Sequence, residues 1–170
     1  MKTSPLDVIT YGEAMTMFVA NETGELDQAM QFTKRIAGAE LNVSIGLSRL
    51  GMNVGWVSRV GNDSFGRFTL ATLQQEGINH QCVTVDERFP TGFQLKSKAE
   101  NGTDPKVEYF RKGSAASHLS VHDFDRAYFS QARHLHLSGV AAALSTDSLA
   151  LANHAAQEMR AMGKTISFDP

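Results

Sequence analysis

The 170-residue chain carries 16 Lys and Arg against 18 Asp and Glu, a formal net charge of −2, with both signs scattered along it. That balance offers no basic field to nucleic acid or to an acidic membrane surface, and at this length one domain can bury a real core. Cys82 is the only cysteine, which rules out an intrachain disulfide and suits a reducing compartment. The start MKTSPLDVITYGE lacks the apolar stretch of a signal peptide, and no later run reaches the length of a membrane span, so a cytoplasmic protein is expected.

Leu6 to Tyr11 reads as a short apolar strand that ends at Gly12-Glu13, where an α/β sheet presents backbone to a ligand. Ala14 to Ala20 continues in a β pattern, Asn21 to Asp27 is turn-rich, and Gln31-Phe32-Thr33 returns as a partner strand. This predicts a hairpin outside the main sheet. Gly38 then precedes a helical pattern built on Leu41, Ile45 and Leu50, with Ala39, Val43 and Leu47 beside them, and Gly51 closes it. Gly38 and Asn42 read in either of two ways. They are a turn glycine and a solvated helix residue, or a backbone approach and an amide that together suit a sugar hydroxyl.

Val54, Trp56, Val57 and Val60 form the next strand, Gly61-Asn62-Asp63-Ser64 punctuates it, and Asp63 and Ser64 are both N-cap candidates for a following helix. Phe68, Leu70, Ala71 and Leu73 supply that helix's apolar positions; Gly77 ends it, and Ile78, Cys82, Val83 and Val85 suggest an edge strand. The order strand, helix, strand, helix, strand is an α/β signal, with right-handed crossovers onto a parallel sheet.

Arg88 to Lys112 breaks that rhythm. Thr91 to Ser97 alternates with period two, Asn101 to Pro105 is turn chemistry, and Val107 to Arg111 alternates again, which predicts a second hairpin. Two hairpins inserted in an α/β chain can merge into a small sheet that covers a pocket. Tyr109 and Arg111, two apart, share a face: a phenol and a guanidinium that grip a carboxylate, or an aromatic packing beside an exposed cation.

Leu119 to Phe129 reads as a helical connection with Ser120 or Asp123 as cap, and His134 to Gly139 as a strand whose two histidines share a face without a third ligand at metal spacing. Ser145 or Thr146 caps a long helix through Met162, Gly163 stops it, and Thr165 to Asp169 is the last strand. Gly163-Lys164-Thr165 is no phosphate loop, since Glu158 stands where the first glycine is required and a helix-to-strand turn reverses the needed order.

Gly38-Ala39-Glu40-Leu41-Asn42, Leu50-Gly51 and Arg59-Val60-Gly61-Asn62-Asp63-Ser64-Phe65-Gly66 together resemble the first signature of the ribokinase-like, or PfkB, carbohydrate kinases. Ala37 departs from the first glycine that many members carry, and the Ala-Gly-Ala-Glu form is familiar in the branch that handles 2-keto-3-deoxygluconate. Tyr109-Phe110-Arg111-Lys112-Gly113-Ser114-Ala115-Ala116-Ser117 resembles the segment by which that branch holds its acid group. Gln94 stands where members often have Tyr, which leaves the epimer preference open.

The resemblance implies a three-layer α/β/α core with a mainly parallel sheet and a β-hairpin lid, its strands within about 14–36 and 88–112. Residues 1–170 would be the N-terminal, sugar-binding part of one such domain. It implies Gly12, Gly38, Asn42, Gln94, Tyr109 and Arg111 as sugar-acid contacts. The exposed hairpin edges favour strand pairing between subunits, which predicts a homodimer or higher homo-oligomer through the lid. ATP and Mg2+ belong to the family's chemistry, but their sites and the Gly-Ala-Gly-Asp segment with its catalytic Asp are expected beyond Pro170, and the chain alone is expected to be inactive. Other readings are a fructokinase or ribokinase-like enzyme, or a noncatalytic sugar-acid-binding or dimerisation module.

Overall fold

The computed structural model describes residues 5–99 and 102–170. Asn101, the first residue of the expected lid turn, lies outside them. A five-stranded parallel sheet has the order β5-β4-β1-β8-β9, formed by Asn79–Asp86, Val54–Gly61, Leu6–Tyr11, Ala132–Ser138 and Thr165–Asp169. A second sheet has the order β3-β2-β6-β7, formed by Phe32–Ala37, Met15–Thr23, Phe93–Lys98 and Val107–Phe110. The two expected hairpins therefore merge, joined by the parallel pair of β2 and β6.

Helices α1 (Ala39–Arg49) and α2 (Ser64–Gln75) cover one face of the parallel sheet, where Leu41, Leu73, Trp56 and Ile78 form one core. Helix α5 (Thr146–Ala161) and the turns before β8 cover the other, where Ile9, Tyr11, Leu135, Leu151 and Met159 pack with Tyr128 and Phe129. Burial on both faces explains why β1 and β4 read as apolar runs and not as alternating strands.

The helix boundaries follow local chemistry. Asp63 caps α2 and Ser145 caps α5, and glycines with positive φ follow α1, α2 and α5 at Gly51 (87°), Gly77 (70°) and Gly163 (71°). Several details differ from the sequence reading: Leu50 is not part of α1 but its C-cap, and is exposed. Ala71 is exposed, and Thr69 takes the inward place on α2. Leu119 to Phe129 is not one helix but a short 3-10 turn and the four-residue α3 (Arg126–Phe129), because Ser120 and Asp123 close a capping box and Asp125 caps anew. A short helix, α4 (Gly139–Ala142), follows β8 and begins at the Ser138 cap. Among the described residues no helix is long and apolar enough to cross a membrane.

Topology fixes where a ligand can sit. From β1 the chain goes first to β4 on one side and later to β8 on the other, so the carboxyl ends of β1 and β8 flank a switch point. Gly12-Glu13 follows β1 and α4 follows β8, while the lid sheet begins two residues after Glu13.

Candidate sugar-acid site

A cavity of about 660 Å3 lies between the lid and the α4–α5 elbow, lined by Tyr109, Arg111, Lys112 and Ser117 on one wall and by Val140, Leu144 and Ser145 among others on the facing wall. Its size is that of an ordinary small-ligand site. The Arg111 guanidinium carbon sits 5.9 Å from the centre of the Tyr109 ring. The two residues that share a face by spacing thus share a cavity in the fold, and Tyr109 is 58 % exposed there.

Each wall is fastened to the switch point by one buried glutamate. Glu13, 3 % exposed, accepts from Arg111 Nε at 2.6 Å and from Ser114 Oγ at 2.5 Å. Arg111 Nη2 lies 2.6 Å from the same Glu13 oxygen, Oε2. Burial pushes the Glu13 carboxyl above its ordinary range, against the pull of Arg111 and Ser114. Glu40 accepts from Ser138 Oγ and, at 3.0 Å, from the Ala141 backbone N–H. It thereby pins the start of α4, and Ser148 Oγ donating to Ala141 O at 2.7 Å ties the elbow to α5.

The glycines at this point make room for those carboxylates. A Cβ at Gly12 would lie 2.5 Å from Glu40 Oε2, and one at Gly92 would lie 2.6 Å from Glu13 Oε1. Gly38 has φ +153°, and a Cβ there would meet Glu13 O at 2.6 Å. Gly12 is buried, and Asn42 is exposed in the first turn of α1. Gln94 is buried on the lid face it shares with Tyr109, its cross-strand partner. Gly12, Gly38, Asn42 and Gln94 do not line the cavity that Tyr109 and Arg111 enter.

The Gly61-Asn62-Asp63 turn performs a different task. Asp63 Oδ1 accepts from the N–H groups of Phe65 at 2.9 Å and Gly66 at 2.7 Å, while Oδ2 accepts from the Thr91 N–H at 2.7 Å. Thr91 Oγ1 in turn accepts from Gly61 N at 2.8 Å. Burial is the largest single influence on Asp63 and raises its pKa, yet the bonds from Thr91, Gly66 and Phe65 together hold it below the ordinary value. Asp63 therefore caps α2 and latches the strand that enters the lid.

Sequence reasoning missed Glu40, Ser114 and Ser138. The signal for Glu40 was present: Glu40, Leu41 and Ser44 stand at helical spacing, and all three are buried. The paired histidines tie β8 to β9. His134 lies 2.7 Å from Thr165 Oγ1 and 2.8 Å from Ser167 Oγ, and His136 lies 2.9 Å from Ser167 Oγ. Among the described residues no group of three His, Cys, Asp or Glu side chains could hold a metal ion. The cavity lining has cationic and neutral donors and no carboxylate, so it does not fit Mg2+.

The sequence matches the family described as pfkB family carbohydrate kinase over residues 6–170. The chain belongs to that family. It is 48 % identical to a 2-dehydro-3-deoxygluconokinase of Bacillus subtilis (strain 168), an alignment that covers 97 % of this chain and 51 % of the relative. The crystal structure of a PfkB protein from Polaromonas sp. JS666 superposes with a TM-score of 0.94 at 53 % identity, covering 97 % of this chain and 55 % of that one. A putative ribokinase II from E. coli, solved in complex with ATP and Mg2+, matches with a TM-score of 0.89 at 26 % identity, covering 97 % of this chain and 53 % of that one. The chain spans about half the length of the relatives it matches. The ribokinase-like architecture, with its mainly parallel sheet, is shared with them.

Proposed function

We propose that this chain forms the sugar-acid-binding part of a 2-keto-3-deoxygluconate kinase, which moves the γ-phosphoryl of ATP to the terminal hydroxyl of the keto acid. The observation that carries the reading is the pairing of Arg111 and Tyr109 at one wall of a cavity of about 660 Å3 with Lys112 beside them. Arg111 binds the carboxylate with a charged donor, and the Tyr109 hydroxyl adds a neutral one. Outside that cavity, Gly38, by close backbone approach, and Asn42 and Gln94, by their amides, serve the sugar hydroxyls, and Gly12 at the end of β1 leaves room for the Glu40 carboxylate beside them.

ATP and Mg2+ supply the phosphoryl group and neutralise its charge in such a reaction. We place their sites, and the base that takes the hydroxyl proton, outside residues 1–170, so this chain alone binds the acid without phosphorylating it. The lid carries the proposed homodimer contact, since β3 and β7 each have a single neighbour in the lid sheet. The reading places the protein in the cytoplasm, which suits the single half-buried Cys82.

Calorimetric titration with 2-keto-3-deoxygluconate and with fructose tests the reading. The chain binds the acid more tightly, and Arg111→Ala lowers affinity for the acid by about tenfold or more while leaving the neutral sugar unchanged. Equal losses for both sugars would contradict it and favour a fructokinase-type pocket.

A further inference from the structure

We propose that Glu13 is a positioning residue that decides which edge of Arg111 an incoming carboxylate meets, and so sets the preference for acids over neutral sugars. The inference rests on the cavity being a sugar-acid site and extends it to a residue that does not line the cavity.

A guanidinium offers two forks, the side pair Nε/Nη2 and the end pair Nη1/Nη2. Glu13 Oε2 lies 2.6 Å from Nε and 2.6 Å from Nη2, so the side fork is occupied from within the protein. Nη1 has no hydrogen bond among the described residues, and Arg111 lines the cavity. The end of the guanidinium is therefore what a ligand can reach.

Glu13 cannot turn away to water. It is 3 % exposed, Ser114 holds its other oxygen, and only the absence of a side chain at Gly92 and Gly38 lets the lid entry and the start of α1 close on it. Strand end, lid entry and lid exit converge on this one carboxylate, and the helix start closes on the Glu13 backbone carbonyl. Arg111, whose side chain is 25 % exposed, is thus fixed before any ligand arrives, and a preformed charged contact lowers the ordering cost of binding. Without Glu13 a long cationic side chain at the cavity rim turns its head to water. The acid then meets a mobile cation, while a neutral sugar notices little.

The experiment compares the wild-type chain with Glu13→Gln and Glu13→Asp in two measurements. The first is phenylglyoxal modification at Arg111, followed by peptide mass mapping with the other arginines as internal controls. The second is titration with 2-keto-3-deoxygluconate and fructose. Glu13→Gln should speed modification at Arg111 several-fold and reduce the acid-over-neutral preference by about tenfold, with fructose affinity unchanged. Glu13→Asp, which keeps the charge, should retain more of the preference than Glu13→Gln even where the two variants melt alike. Unchanged modification in Glu13→Gln, or an intact acid preference, overturns the proposal and leaves the sugar-acid reading standing. A wild-type chain with no acid preference overturns both, so the two failures are distinguishable.

Discussion

The lid is joined to the core through two carboxylates that solve the same problem in opposite ways. At the entry to β6, Asp63 accepts from the backbone N–H groups of Phe65, Gly66 and Thr91. At the exit from β7, Glu13 is satisfied by side chains, Arg111 and Ser114. The Asp63 latch is built from backbone donors and borders a different cavity, beside Pro90, Phe93 and Phe110. Arg111 is a side-chain donor with a second use: the cation that fastens the lid to Glu13 also lines the cavity with Tyr109, so stability and the proposed recognition are linked at that end.

The sharpest way to break this comparison is to remove the entry latch. Asp63→Ala deletes a helix cap and leaves the Thr91 N–H unpaired, and should cost about 2–4 kcal/mol in chemical denaturation while the variant that still folds keeps its acid-over-neutral ratio. A changed ratio would mean that the entry latch also shapes the cavity.

The pH dependence of stability offers a smaller but more specific contrast. Asp63 has a folded pKa below its unfolded one, so its contribution is present above the unfolded value, near the ordinary 3.8, and is lost as pH falls through the folded value. Glu13 has a folded pKa above its ordinary 4.5, because burial costs the ionised form more than Arg111 and Ser114 return. Its contribution is fully present below 4.5 and is lost as pH rises through the folded value. Relative to Asp63→Asn the wild type should lose its advantage on acidification, and relative to Glu13→Gln it should gain. Each slope is bounded by about 1.4 kcal/mol per pH unit in urea titrations across the acid range. Slopes of the same sign would contradict the assignment of the two latches.

This division also explains what could be read in the sequence. The parallel sheet, both hairpins and the three long helices follow from periodicity and from Gly51, Gly77 and Gly163, because those signals are local. Arg111 and Tyr109 were found together because two residues on one strand share a face. The partners of Arg111 and of Asp63 were not legible, since Glu13 is 98 positions from Arg111 and Asp63 is 28 from Thr91. The signature glycines gave a mixed signal. Gly61 reads as part of a turn, but a Cβ there would lie 2.5 Å from Asp63 Oδ2, and the need for glycine appears only once the latch is built. Ala71 and Thr69 exchanged roles because the helix turns Thr69 inward, where it is fully buried.

The most direct measurement is a crystal structure of this chain soaked with 2-keto-3-deoxygluconate. The carboxylate should lie on the Nη1 side of Arg111 within reach of the Tyr109 hydroxyl, with Glu13 still on Nε. A carboxylate bound away from Arg111, or one that displaces Glu13 from the side fork, would contradict this arrangement.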